Sequence, residues 1–318
     1  MTLNLPRSSP EAEGVSAAGL AGFVDAAGRF GEVDSVMVLR HGRVIVERWW
    51  PPASPTTPHP LWSISKSFTS TAVGLAIHEE RFTLDDRVVD LLVEDVPELV
   101  GDHLAAMTVR HLLTMSTGHE TESLPDDDRV LATNWARRIL AEPVPFAPGS
   151  RFVYNSGAPY LLSAIVQRHT GERLIAYLTP RVLAPLGLRN LTWQTSPQGI
   201  DAGGWGLSAT TEDVASFGQL YLQHGVWNDV QVVPAEWVTA ATSLQVASDA
   251  EPGRPDWTQG YGYLFWRCRH GAYRADGKDG QLCVVLPELE TVVTMTAKLT
   301  DMQGELDLVW DFLLPALG

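Results

Sequence analysis

Lysine is nearly absent from this chain. The 318 residues hold three, Lys66, Lys278 and Lys298, within a total of 23 basic against 38 acidic side chains. The net charge of −15 repels phosphate backbones and anionic lipid, which argues against nucleic-acid and membrane-surface partners. Long apolar runs are missing as well: none reaches the roughly 18 residues of a membrane span. Cysteine is limited to Cys268 and Cys283, which fit no metal-ligand spacing. They are expected as buried, unpaired thiols on neighbouring strands. The segment Met1-Thr2-Leu3-Asn4-Leu5-Pro6-Arg7 lacks a basic region followed by an apolar core, so a cytoplasmic location is expected. No Gly-x-Ser-x-Gly occurs, which removes the α/β-hydrolase nucleophile elbow. His78-Glu79-Glu80-Arg81-Phe82 opens like a zinc-protease helix but has no second histidine, so no metal is expected there. Gly271 to Lys278 is one residue too long between glycines for a phosphate loop.

One of the three lysines lies in Leu61-Trp62-Ser63-Ile64-Ser65-Lys66-Ser67-Phe68, the sole Ser-x-x-Lys of the chain. Residues three apart on a helix share a face, so the Ser63 hydroxyl and the Lys66 amine can meet without help from any other segment. A serine hydroxyl is a weak nucleophile until a base takes its proton. A lysine whose pKa is lowered by burial or by a neighbouring cation can be that base. Ser63 and Lys66 are therefore candidate nucleophile and base. An ordinary helix cap beside a surface lysine is the competing explanation of the pair taken alone.

The organisation around this tetrad is legible from pattern. Ser16 caps a helix bearing Leu20, Phe23 and Val24 that ends near Gly28. Strands follow at 35–39 and 44–49, joined by the Arg40-His41-Gly42-Arg43 turn. A largely apolar helix runs from Ser63 to about Glu80. Residues 80–200 read as helices and loops, with helices at 108–115, 128–141, 158–169 and 172–183. A further helix spans 211–223. Strand patterns return at 261–268, 271–275, 282–286 and 291–295, and a helix with Leu306, Val309, Leu313 and Leu314 closes the chain. Short turns between the strands predict an α+β fold. One antiparallel sheet is flanked by the N- and C-terminal helices, and a mostly helical lobe is inserted between its halves. The expected division is a sheet domain of 1–80 and 201–318 and a helical domain of 81–200.

Further segments fall into line with the tetrad: Thr83-Leu84-Asp85-Asp86, Thr108 to Gly118, Pro148-Gly149-Ser150-Arg151-Phe152-Val153-Tyr154-Asn155-Ser156, Pro185-Leu186-Gly187-Leu188 and Ala275-Asp276-Gly277-Lys278-Asp279-Gly280-Gln281. Their order and spacing, from about residue 10 onward, resemble the serine β-lactamase-related hydrolases. That group takes in class C β-lactamases, D-alanyl-D-alanine carboxypeptidases, esterases and 6-aminohexanoate-dimer hydrolases. The resemblance implies the β-lactamase/transpeptidase-like fold, Ser63 as acylated nucleophile, Lys66 as its partner and Tyr154 as a proton shuttle. It also implies an oxyanion hole from the backbone N–H groups of Ser63 and Lys278, with Gly277 on the edge strand, and no metal or organic cofactor.

Two departures bear on substrate. The family's Tyr-x-Asn reads Tyr154-Asn155-Ser156 here, so Ser156 replaces an amide. The family's Lys-Thr-Gly or His-Thr-Gly aligns with Ala275-Asp276-Gly277, so the cation that holds a substrate carboxylate is missing. The reading is a serine hydrolase acting on a small ester or amide through an acyl-enzyme. A β-lactamase or D-amino-acid peptidase is the alternative within enzymes, and a non-catalytic member binding an acyl ligand or a protein is the alternative outside them. Burial favours a neutral Lys66, while an ammonium there would lower the Tyr154 pKa, and the two effects are expected to compete for one proton. His111, in an apolar Leu-Leu segment, is expected to be structural. His119 stays open between a structural place and a place in the cleft, which Trp205 and Trp266 are candidates to wall.

Overall fold

The computed structural model describes residues 5–248 and 253–318. Helix α1 (Ala17–Phe30) begins where the Gly19 N–H donates to Ser16 Oγ, a cap worth about 1 kcal/mol. It runs two residues past Gly28. That glycine lies against the Trp50 indole, where a Cβ would stand 3.0 Å from the ring, so it serves close packing and not helix termination. Strands β1 (Val33–Arg40) and β2 (Arg43–Trp49) follow. Their turn holds His41 and Gly42 at φ 50° and 74°, the left-handed pair that a tight hairpin requires.

The later elements used below are α2 (Ser65–His78), α3 (Gly157–Thr170), α4 (Thr211–Leu222), β3 (Trp266–Arg267), β4 (Tyr273–Gly277), β5 (Gln281–Leu286), β6 (Thr291–Ala297) and α5 (Met302–Leu308). The six strands form one antiparallel sheet in the order β2-β1-β6-β5-β4-β3. The closing contact is β1 on β6, with Val36 opposite Met295 and Val38 opposite Val293. Both faces are covered. On the outer face Val36, Val38, Val284 and Val293 pack under Leu20 and Phe23 of α1 and under Leu306, Val309 and Leu313 near the C-terminus. On the inner face Met37, Leu39 and Val285 meet α2 and α4, whose Phe68 and Phe217 rings stack at 3.9 Å. Burial on two sides is why these strands read as continuous apolar runs and not as alternation.

Three sequence expectations change. The single helix expected at 128–141 is two, Asp126–Leu131 and Trp135–Leu140, because Asn134 Oδ1 accepts the Arg137 N–H and starts a new helix. The strand expected at 261–268 is reduced to Trp266–Arg267. Leu264 takes φ 62° and the Gly262 N–H donates to Phe265 O, which folds the preceding residues back on themselves. Cys268 and Cys283 are free and buried, as expected, but not on neighbouring strands. Strand β4 separates them, and they belong to the outer and inner clusters respectively. Among the described residues no helix is long and apolar enough to cross a membrane.

Candidate active site

Ser63 sits in the middle of a one-turn 3-10 helix, Trp62–Ile64, that runs straight into α2. The turn is tied down before and after the serine. The Leu61 N–H donates to Leu207 O, and the Leu207 N–H donates to Ser65 Oγ at 3.1 Å. Trp62 takes φ 47°, a left-handed conformation that costs a non-glycine residue roughly 1–2 kcal/mol. Strain of this kind persists only where surrounding contacts impose it, and here it lies one residue before the candidate nucleophile.

Lys66, on the first turn of α2, is buried. Its Nζ donates to Ser63 Oγ at 2.7 Å, to Gly204 O at 2.7 Å and to Ser156 Oγ at 3.2 Å. Burial lowers the Lys66 pKa to about 7. Glu122 and Asp276 work against that fall, and Arg129 adds to it. At pH 7 about half of such amines are neutral, against roughly one in 3,000 for an ordinary lysine. The geometry suits the neutral form. With two N–H groups on Gly204 O and Ser156 Oγ, the remaining lone pair faces the Ser63 hydroxyl.

Tyr154 lies over the same pocket, its ring centroid 4.8 Å from Lys66 Nζ and stacked on Trp266 at 5.5 Å and 23°. Burial pushes its phenol above the ordinary tyrosine value. Asp276 and Glu122 push the same way, and a hydrogen bond with Ser63 opposes them. Of the two effects expected to compete, burial prevails for both groups. Lys66 is itself about half neutral near pH 7, and two carboxylates lie near. Tyr154 therefore enters the site as a protonated phenol.

Gly277 ends β4 against the Ser63 turn. A Cβ there would collide with Leu61 O and stand 3.1 Å from Ser63 N, so only glycine lets the strand approach so closely. Lys278 follows directly, with its side chain exposed and its Nζ 5.4 Å from the Trp62 ring centroid. Ala275, at the position of the missing cation, belongs to the inner core cluster. Its neighbour Arg274 does not replace that cation. It is fully buried, donates to Asp276 Oδ2 and Asp256 O at 2.8 Å each, and lies over the Trp257 and Trp266 rings.

The structure thus brings Ser63, Lys66, Tyr154, Ser156 and Gly277 to one place. His111 does not join them. Its Nδ1 accepts the Thr108 N–H at 3.1 Å and caps its own helix. His119 is buried, with Nδ1 2.8 Å from Thr117 Oγ1 and its pKa lowered by that burial. Trp266 backs Tyr154, while Trp205 carries the Arg129 guanidinium 4.0 Å above its ring. Two participants carry no sequence signal. Gly204, part of a Gly-Gly break, supplies a carbonyl to Lys66. Glu122 accepts the Ser156 N–H at 2.7 Å and the Gly157 N–H at 3.0 Å from a loop more than thirty residues upstream.

The chain is similar to known hydrolases. The 6-aminohexanoate-dimer hydrolase of Paenarthrobacter ureafaciens is 30% identical over 222 residues, 64% of this chain and 56% of that protein. Esterase EstB of Burkholderia gladioli is 30% identical over 178 residues, 48% of this chain and 45% of that protein. The chain thus spans about half the length of these two relatives. The octameric penicillin-binding protein homologue from Pyrococcus abyssi superposes with a TM-score of 0.74 at 20% identity, over 94% of this chain and 77% of that one, a likeness of fold. Residues 20–316 match the sequence model of the β-lactamase family, and the chain belongs to that family.

Proposed function

We propose that the chain is a serine hydrolase that cleaves a small ester or amide through an acyl-enzyme on Ser63. The observation that carries this reading is the 2.7 Å contact between Ser63 Oγ and a buried lysine whose pKa is lowered to about 7. In this reading the substrate lies between a sheet domain of 1–80 and 201–318 and a helical domain of 81–200. The Ser63 oxygen attacks the substrate carbonyl carbon while its proton passes to the Lys66 lone pair. Charge develops on the carbonyl oxygen, for which the backbone N–H groups of Ser63 and Lys278 are the donors, each worth about 3 kcal/mol in comparable sites. Tyr154, protonated, relays a proton to the leaving group as the tetrahedral carbon collapses to a Ser63 ester. Water then attacks that ester. Its proton goes to the same Lys66/Tyr154 pair, and Ser63 leaves with a hydrogen restored.

Ala275 in the place of a carboxylate-binding cation favours neutral substrates over penicillin-like acids. Losing a charge-assisted hydrogen bond costs about 1.5–3 kcal/mol, or about 10- to 150-fold in binding. The names of the relatives, an amide hydrolase and an esterase, support the same choice. The test is a panel of p-nitrophenyl acetate and butyrate, aminohexanoate oligomers, D-amino-acid peptides and nitrocefin, run on the protein and on Ser63→Ala. The expected result is short-ester turnover well above nitrocefin turnover, abolished in Ser63→Ala. Nitrocefin turnover equal to or above that of the esters would overturn the substrate class, and turnover surviving in Ser63→Ala would overturn the mechanism.

A further inference from the structure

A serine at a helix N-cap ordinarily turns its Oγ onto the amides of the first turn. Ser156 is the N-cap of α3 and makes no such bond. Its Oγ instead accepts the Lys66 N–H at 3.2 Å. The N3 position is Pro159, which has no N–H to offer, and the amides before it are held by another residue. Glu122 Oε2 accepts the Ser156 N–H at 2.7 Å, and Glu122 Oε1 accepts the Gly157 N–H at 3.0 Å, an amide shared with Asn155 Oδ1 at 2.9 Å. The same Oε1 accepts the Leu124 N–H at 3.0 Å, which fixes the carboxylate to its own loop. A carboxylate at this end of a fourteen-residue helix also meets the positive end of its dipole.

We propose, resting on the acyl-enzyme reading above, that Glu122 is a positioning residue of the active site. By holding the backbone N–H groups of Ser156 and Gly157, its carboxylate fixes the start of α3 so that Ser156 Oγ holds the Lys66 amine against Ser63. The charges around Lys66 give this role a signature that a purely structural cap lacks. The carboxylates reaching Lys66 are Glu122, from the loop before α3, and Asp276, from β4. The cation reaching it is Arg129, from Asp126–Leu131, and the neighbouring phenol is Tyr154. Asp276 is already held by Arg274. Of the two carboxylates Glu122 is the larger influence on Lys66, and it favours the ammonium. Its removal makes the amine easier to deprotonate.

The experiment measures p-nitrophenyl butyrate hydrolysis from pH 5 to 9 for the wild type, Glu122→Gln, Ser156→Ala and the double variant, with thermal unfolding of each. Glu122→Gln keeps an acceptor at the helix end but loses the charge. The expected result is a kcat lower by about 10-fold, KM within a factor of two, and an acid limb displaced to lower pH. Ser156→Ala is expected to lower kcat comparably without the displacement, and the double variant to lose less than the product of the two. If Glu122→Gln lowers only the melting temperature and leaves kcat and the acid limb at wild-type values, Glu122 is a structural cap and the proposal falls. If Glu122→Gln does not fold, Ser156→Ala decides: a wild-type kcat there overturns the proposal, and a reduced one supports it. A wild type without Ser63-dependent turnover would defeat the underlying reading, a result separate from any of these.

Discussion

Ser63 and Lys66 are three residues apart on adjoining helical turns, and for that reason their contact is legible in the chain's own order of residues. Local geometry alone brings them together. What surrounds them is not legible to the same degree. By alignment Ser156 is a weaker substitute for a family amide, whereas in the fold its oxygen is a Lys66 acceptor on a backbone held by Glu122. Gly204 and Glu122 come from loops whose meeting with α2 and with the start of α3, respectively, depends on tertiary folding, and no spacing announces them. The protonation of Tyr154 also depends on burial and on Asp276, which sequence does not measure. At this scale the account predicts the pH dependence. With Lys66 near 7 and acting as a neutral base, kcat/KM should rise with pH through about 7 and then level off. Lys66→Ala and Tyr154→Phe should each cost roughly a thousand-fold or more in kcat, and the double variant far less than the product, as for residues that act as a unit. Steady-state kinetics of the three variants checks this. Multiplicative losses would place the two groups in separate steps, and a near-wild-type Tyr154→Phe would reduce the tyrosine to a packing role.

At the scale of the element, strong apolar periodicity locates strands and helices to within a few residues, including α1, α4 and the β5–β6 hairpin. The failures share a cause. The break at Asn134 and the fold-back at Leu264 are set by a side-chain cap and by a left-handed residue within otherwise apolar stretches, and neither alters the hydrophobic pattern. The C-terminal helix α5 carries a feature that the pattern also conceals. Glu305 is wholly buried behind Gly280, and neither carboxyl oxygen has a hydrogen-bond partner among the described residues. Burial pushes its pKa well above the ordinary carboxylate range, and Asp276 pushes the same way. The folded protein therefore keeps a proton that the unfolded chain releases above about pH 4.5. The folded state binds more protons in that window, so this group's contribution to stability falls as pH rises through it, by up to about 1.4 kcal/mol per pH unit. Glu305→Gln cannot ionise. Its melting temperature should fall less between pH 5 and pH 8 than that of the wild type, and equal slopes would contradict the argument.

For the whole molecule, the order helix, two strands, helical insert, strands, helix is enough to foresee one antiparallel sheet between terminal helices. It does not give the strand order. The pairing of β1 with β6 closes the sheet across the whole insert and is decided by packing between distant segments. That pairing has a functional consequence, since it fixes β4 where Gly277 can touch the Ser63 turn. The sheet thus supplies one wall of the candidate site, while the Trp62–Ile64 turn, α2 and the N-cap of α3 supply Ser63, Lys66 and Ser156. The central claim is that this assembly exists to acylate Ser63. Its most direct test is intact-mass spectrometry after mixing the protein with a reactive ester of a bulky acid, p-nitrophenyl pivalate, followed by peptide mapping. The account predicts one pivaloyl group per chain, on the peptide containing Ser63 and at Ser63 within it, and none in Ser63→Ala. An unmodified protein that still turns over the ester, or an adduct on Ser65, Ser67 or Ser156, would contradict it.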